Sequence, residues 1–233
     1  MYFDRHFSLI SGYRYLLKDV IKFLNDINKM GSVEKLLVDV GCGKMPYKRI
    51  LSNWTYVGVD NVTESDATPD LYGDLTNLPL RDKECDLLLT VWVLDDVFLL
   101  DKAFKEMDRV LKDDGMICLI ENQSTNLHNH PYDYFRFSPS AIERLGKENG
   151  LTVVEIRSYG GDFALIGFSL IIVFRNFFNL IKLDSYARPF YCLIINIVFR
   201  PLDKFFSLDI FNNRFKSNSI GYCYTLKKII LEK

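Results

Sequence analysis

At 233 residues and 27.2 kDa, with 48% hydrophobic and 25% charged residues, the chain has an ordinary globular composition and length enough for a sizeable core. Disordered, collagen-like and disulfide-scaffold classes are excluded on those figures. Lys and Arg total 29 against 30 Asp and Glu, a net charge of −1, so no overall basic field points to nucleic acid.

The charge is unevenly spread. Residues 60–114 hold 15 acids and 6 cations, whereas 163–216 hold 3 acids and 7 cations. The five cysteines, Cys42, Cys85, Cys118, Cys192 and Cys223, have neither metal-ligand nor redox spacing and read as free buried thiols in a reducing compartment. The N-terminus lacks the apolar core and cleavage site of a secretory signal, which sets the expectation of a cytoplasmic protein.

In chain order, apolar residues at helical spacing from Leu9 to Ile27, stopped by Gly31, predict an amphipathic helix over 9–30. Strand-like runs follow at Lys35–Val40, Tyr56–Asp60, Cys85–Val91, Met116–Glu121, Leu151–Ser158 and Gly221–Leu231. Between them lie helical stretches at Leu99–Leu111, closed by Asp113-Asp114-Gly115, and Pro139–Asn149, headed by Ser138 as a capping hydroxyl. Strands apolar throughout and alternating with helices indicate a doubly wound α/β protein, with ligands at the carboxyl ends of the strands.

The first such end reads Asp39-Val40-Gly41-Cys42-Gly43-Lys44-Met45-Pro46-Tyr47. The glycine pair lets backbone approach a ligand closely, and a following helix would offer free N–H groups. The second strand ends in Asp60, placed to accept both hydroxyls of a ribose, and Asp74 marks a third strand tip. A dinucleotide would want glycine where Pro46 stands, and proline removes an N–H donor for the pyrophosphate. S-adenosylmethionine has no phosphate to receive. It needs acids for its amino group and ribose and an apolar slot for its adenine, which Asp39, Asp60 and Asp74 with Leu75 supply.

The segments VDVGCG, YVGVD, GDLTNLPLRDKECDLLLTVWVLDDV and EMDRVLKDDGMICLIE together resemble the class I S-adenosylmethionine-dependent methyltransferases over about residues 35–121. The resemblance implies one methyltransferase domain over 1–233, with an N-terminal helical region at 1–34 and an apolar helical insertion or lid at 163–216. It implies a Rossmann-like sheet of seven strands, the last antiparallel. It further implies that Asp39, Gly41 and Gly43 line the methionine part of the cofactor, Asp60 the ribose, Asp74 and Leu75 the adenine, and that Val91 and Trp92 border the methyl group. Asp86, opening the fourth strand, is expected to be structural. Where the family has Glu-His the chain has Asp95-Asp96, which leaves the catalytic base open; where it has Pro-Gly before the fifth strand, the chain has Asp114-Gly115.

After the fifth strand, His128 to Phe137 (His-Asn-His-Pro-Tyr-Asp-Tyr-Phe-Arg-Phe) interleaves two of the three histidines with an acid, an arginine and aromatics. The stretch, together with Pro46-Tyr47, is similar to the subgroup of methyltransferases found among glycan and lipopolysaccharide synthesis enzymes, which would put the protein in polysaccharide biosynthesis. In-line methyl transfer needs positioning of the nucleophile, and a hydroxyl must also lose its proton. His128 is the leading candidate for that proton, with Asp133, Asp95 and Asp96 as further catalytic candidates. Tyr132, Tyr134 and Arg136 suit a sugar's faces and hydroxyls. His128-x-His130 has no third or fourth ligand nearby in sequence, so no metal is expected.

The expected function is therefore methyl transfer to a hydroxyl of a saccharide or another small or lipid-linked acceptor, with no nucleic-acid partner. N- or C-methylation of a small metabolite, and a catalytically silent cofactor-binding partner subunit, remain as alternatives. Phe163–Ile181 and Pro189–Leu202 carry one charge each, Arg175 and Arg200, and no uninterrupted apolar run is long enough to span a bilayer. Three uses stay open for this region: a lid over the acceptor, a homodimer interface, or peripheral contact with the inner face of a membrane.

Overall fold

The computed structural model describes residues 14–61, 68–206 and 219–229. Their elements are α1 (Arg14–Lys29), β1 (Leu36–Val40), β2 (Thr55–Asp60), β3 (Leu71–Tyr72), β4 (Cys85–Val91), α2 (Leu100–Val110), β5 (Leu111–Asn122), α3 (Pro139–Glu148), β6 (Leu151–Tyr159), α4 (Asp162–Leu180), α5 (Asp184–Phe206) and β7 (Gly221–Lys228). A single 3-10 turn, Leu94–Asp96, follows β4. Residues 9–13 of the expected first helix, and 230–231 of the expected last strand, lie outside the described residues.

The chain divides into two compact units, Phe23–Arg157 with Tyr222–Lys233, and Met1–Lys22 with Ser158–Gly221. The first carries the sheet, in the order β3-β2-β1-β4-β5-β7-β6, parallel from β3 to β5, with the last strand antiparallel. β1 and β4 are apolar along nearly their whole length because they pair on both edges and are covered on both faces. One face packs Val38, Val40, Leu88, Ile117 and Leu119 against Phe104 and Met107 of α2 and Ile142 of α3. All five cysteines are free and buried, as their apolar settings predict.

Asp86 takes the structural role expected of it. Its Oδ2 accepts the Leu36 N–H and the Lys112 ammonium, both at 2.8 Å, joining β1, β4 and β5 at their start.

Three local expectations change. No helix follows β1 among the described residues; Gly41 to Asn53 runs as turns, with Gly41, Gly43 and Met45 all at positive φ. α2 ends at Val110 and β5 begins at once, because Leu111 already pairs with Cys85. The next pair is Leu87 with Met116, so Lys112–Gly115 is a bulge within β5 rather than a stop before it. Ser138 holds the N-cap position of α3 in extended conformation, but its hydroxyl makes no capping bond; its carbonyl accepts from Ala141 and Ile142.

The second unit contains α4 and α5, joined by a short turn at Ile181–Leu183 as an antiparallel pair. Ile171 packs with Tyr191, Cys192 and Ile195 along the seam. A Cβ on Gly167 would stand 3.2 Å from Phe199 and 3.3 Å from Ile195, so glycine lets the helices approach closely there. Asp203 of α5 accepts the Ala164 N–H at 3.0 Å, capping the start of α4 where the helix dipole favours an anion.

Candidate functional site

The glycine turn is fastened to the end of β2 by its own amides. The N–H groups of Gly41 and Cys42 both donate to Val59 O, at 2.8 and 3.2 Å, and Gly43 N–H donates to Asp60 Oδ2 at 2.8 Å. Met45 N–H returns to Cys42 O. The amides of Gly41, Cys42, Gly43 and Met45 are therefore spent inside the protein, and no helix follows the turn among the described residues. An anion such as a pyrophosphate finds no helix N-terminus here. What the turn does offer is room: a Cβ on Gly43 would meet nothing within 4 Å, whereas one on Gly41 would fall on Val93 Cγ2.

Asp39 is 1% exposed, and the Tyr56 hydroxyl donates to its Oδ2. Burial pushes its carboxyl up to about 7; the Tyr56 bond works against the rise and the nearby charge of Asp60 adds to it. Tyr56 was not singled out from the sequence, yet β2 contained the signal. Alternation puts Tyr56, Gly58 and Asp60 on one face, and the register pairs Asp39 with Gly58. Gly58 N–H donates to Asp70 Oδ2 at 2.9 Å, and glycine is needed there because a Cβ would stand 2.8 Å from Cys42 Sγ.

Asp74 lies just past β3, exposed, and its Oδ1 accepts from the amide and hydroxyl of Thr76. Leu75 is 2% exposed and its side chain belongs to the core. At the end of β4, Trp92 has φ 57° and its N–H donates to Ile120 O, turning the chain into the 3-10 segment beside Val93.

That segment places Asp95 fully buried and Asp96 next to it. Glu121 Oε1 accepts the Leu94 N–H at 3.3 Å, and Asn122 Nδ2 donates to Asp95 Oδ2 at 3.3 Å. The Asp95 carbonyl accepts the amides of Tyr134 and Phe135, tying the loop after β5 to the turn after β4. His128 thereby comes between Asp133, five residues on, and Asp95, 33 residues back in the sequence. Its Nε2 is 3.5 Å from Asp95 Oδ2 and 4.0 Å from Asp96 Oδ1, and its Nδ1 is 3.3 Å from Asp133 Oδ2. Asn129 Nδ2 donates to Asp96 Oδ2 at 2.7 Å. Glu121, Asn122 and Asn129 are members of the site that sequence reasoning left without a role.

The flanking carboxyls are driven in opposite directions. Arg136 donates to both oxygens of Asp133, at 2.5 and 2.8 Å, and holds that group well below the usual carboxylate range. Burial raises Asp95, and burial together with the Asp95 charge raises Glu121 well above its ordinary value. Acids pushed apart around one imidazole are the pattern of a proton-handling site. Asp95 Oδ1 and Asp96 Oδ1 are buried and accept no hydrogen bond among the described residues.

Arg136 also donates to the carbonyls of Thr125, Asn126 and Phe135, so its fork organises the loop. Asp95, His128 and Asp133 bring oxygen and nitrogen atoms within 4.8 Å of one another, a spacing that a metal could use. The guanidinium already supplies positive charge there, bonded to Asp133 and 4.0 Å from Asp95. Tyr134 stands edge-on to Phe98 with ring centroids 5.3 Å apart, and with Tyr132 these exposed rings form an aromatic rim.

Residues 38–119 match the model of a methyltransferase domain family. Among solved structures, a putative sarcosine dimethylglycine methyltransferase from Galdieria sulphuraria is 13% identical, over 91% of this chain and 85% of that one, with a TM-score of 0.57. A 1,6-didemethyltoxoflavin-N1-methyltransferase from Burkholderia thailandensis, solved with S-adenosylhomocysteine, is 12% identical over 90% and 78%, with a TM-score of 0.54. The chain has the Rossmann-like methyltransferase fold. No curated protein matches it. A (4+2)-cyclase shares the fold as well, 14% identical over 89% and 81% with a TM-score of 0.54, so the reaction has to be argued from the site.

Proposed function

We propose that the protein is an S-adenosylmethionine-dependent methyltransferase acting on a hydroxyl of a saccharide or another small or lipid-linked acceptor. The observation that carries this reading is the imidazole of His128 held between a low-pKa and a raised carboxyl, beyond the strand ends that carry the glycine turn. The turn suits the cofactor: Gly43 leaves an open approach, Asp60 stands at the tip of β2, and the amides of Gly41, Cys42, Gly43 and Met45 are spent inside the protein.

When bound, S-adenosylmethionine supplies a methyl group activated on a sulfonium. Asp60 accepts the ribose hydroxyls, Asp74 and the Leu75 backbone border the adenine, and Val91 and Trp92 border the methyl group. Asp39 lies in β1 two residues before Gly41 of the turn, its buried carboxyl bonded by the Tyr56 hydroxyl. On the acceptor side, Asp133 orients His128 through Nδ1 while Asp95 and Asp96 accept hydrogen bonds from the substrate. His128 takes the hydroxyl proton at Nε2 as the oxygen attacks. Tyr132 and Tyr134 cover the apolar faces of the sugar.

A second reading, N-methylation, is favoured by one observation: the unbonded oxygens of Asp95 and Asp96 suit an amine donor as well as a hydroxyl. Release of S-adenosylhomocysteine in the presence of nucleotide-activated sugars, and separately of small amines, distinguishes the two. Turnover with the sugars, lowered by about 10²–10⁴ in His128→Ala with cofactor affinity retained, supports the hydroxyl reading. Turnover confined to amines, or an active His128→Ala variant, refutes it.

A further inference from the structure

The α4–α5 hairpin bonds several of its polar side chains internally and leaves a row of large apolar side chains exposed on each helix. Along the seam, Phe178 and Tyr191 stack with centroids 5.7 Å apart and planes 3° from parallel. Away from the seam, α4 presents Val173, Phe177 and Leu180, and α5 presents Phe190, Ile194 and Ile197, each more than half exposed. Both sets recur at i, i+4, i+7, so each forms a continuous stripe on one side of its helix. Ile181 and Leu183 continue the exposure across the turn.

Several polar side chains of the hairpin bond within it, while others, Asn176, Asn179 and Tyr186 among them, stand exposed beside the stripes. Tyr191 Oη donates to Asp184 Oδ1 at 2.7 Å and Arg188 Nε donates to Asp184 Oδ2 at 2.8 Å, so a buried acid, a cation and a phenol neutralise one another. Ser169 Oγ donates to Leu165 O at 2.9 Å and Asn196 Nδ2 to Cys192 O at 2.7 Å, each bonding back one turn along its own helix. This is how polar side chains are accommodated where water is scarce. α4 is long and apolar enough to cross a membrane, and only 22% of its apolar window is buried.

Three possible coverings differ in geometry. The rigid face of a second copy or a protein partner covers one side, whereas the stripes here lie on both outer sides and meet over the turn. A fluid apolar medium covers all of them at once. With Arg188 paired to Asp184, Arg175, Lys182, Arg200 and Lys204 stand against Asp162 and Asp203 across Asp162–Phe206, a net positive charge that suits anionic headgroups.

We propose that the α4–α5 hairpin lies on a lipid bilayer with anionic headgroups and inserts its outer apolar faces into the acyl region, tethering the sheet-bearing unit at that surface. The inference does not depend on the reaction assigned above.

The test is flotation of the full chain with vesicles of phosphatidylcholine and phosphatidylglycerol, at low and high salt. A triple variant, Phe177→Ser, Leu180→Ser and Phe190→Ser, changes only exposed side chains, and circular dichroism checks its fold. The wild type is expected to float, more weakly but still measurably at high salt, and the folded triple variant to lose about tenfold or more of the bound fraction. Phe177→Trp should gain emission that lipids brominated in the acyl chain quench. Three results overturn the proposal: a wild type that stays in solution, flotation equal in the triple variant, or F177W emission indifferent to the brominated lipid. A dimer in buffer that ignores vesicles and is split by the triple variant would assign the surface to a second copy instead.

Discussion

Replacing Asp39 by Asn tests the buried carboxyl bonded by Tyr56. The carboxyl is 1% exposed, and its pKa is raised from 3.8 to about 7, chiefly by burial. A carboxyl whose folded pKa lies above its unfolded value stabilises fully below the unfolded pKa and loses that contribution as pH rises through the folded one. Stability therefore falls between pH ~4 and pH ~7 and levels off above, because the folded protein holds the proton more tightly. A shift of this size corresponds to about 4 kcal/mol, with about 2–3 kcal/mol of it lost between pH ~5 and pH ~8. Asn keeps the volume and an acceptor for the Tyr56 hydroxyl but cannot ionise. Urea unfolding of both proteins across this range should show the variant gaining about 2–3 kcal/mol on the wild type toward pH ~8. Groups common to both, Asp95 and Glu121 included, cancel in the difference. Parallel pH profiles would refute the buried, raised carboxyl.

Gly43→Ala should fold with a loss of about 1 kcal/mol from its left-handed backbone, yet bind S-adenosylhomocysteine far more weakly, because the added methyl enters the open approach. Gly41→Ala should lose stability more heavily, by about 3 kcal/mol, since its Cβ falls on Val93; thermal melts beside calorimetry separate the two effects. Arg136→Ala strips Asp133, whose side chain is 2% exposed, of its bidentate partner and should cost about 3 kcal/mol. Hydrogen exchange should then quicken across residues 122–137 while cofactor affinity is kept; unchanged exchange would show that Arg136 does not organise the loop.

The apolar runs that became β1, β4 and β5 were legible because strands covered on both faces leave no room for polar alternation. The glycine turn was legible as a motif but not in its chemistry. The glycine pair after β1 suggested a turn leading into a helix with free N–H groups, whereas amides bonded to Val59 O and Asp60 close the turn without one. The bulge at Lys112–Gly115 escaped because Asp113-Asp114-Gly115 has the composition of a turn; only pairing with β4 shows the strand resuming on both sides. Tyr56 was available to strict alternation along β2. The joining of His128 to Asp95 was not, since no local pattern relates a loop after β5 to a turn after β4. Backbone bonds from Tyr134 and Phe135 to the Asp95 carbonyl make that connection.

Calorimetric titration of the folded full chain with S-adenosylhomocysteine, NAD and buffer alone addresses the cofactor most directly. Binding of S-adenosylhomocysteine in the micromolar range, with no heat from NAD, is expected. Asp60→Ala should weaken that binding by about tenfold to a hundredfold, as a charged acceptor of the ribose hydroxyls and of the Gly43 amide is lost. A folded chain that takes up no S-adenosylhomocysteine, or that binds NAD in its place, would contradict the assignment.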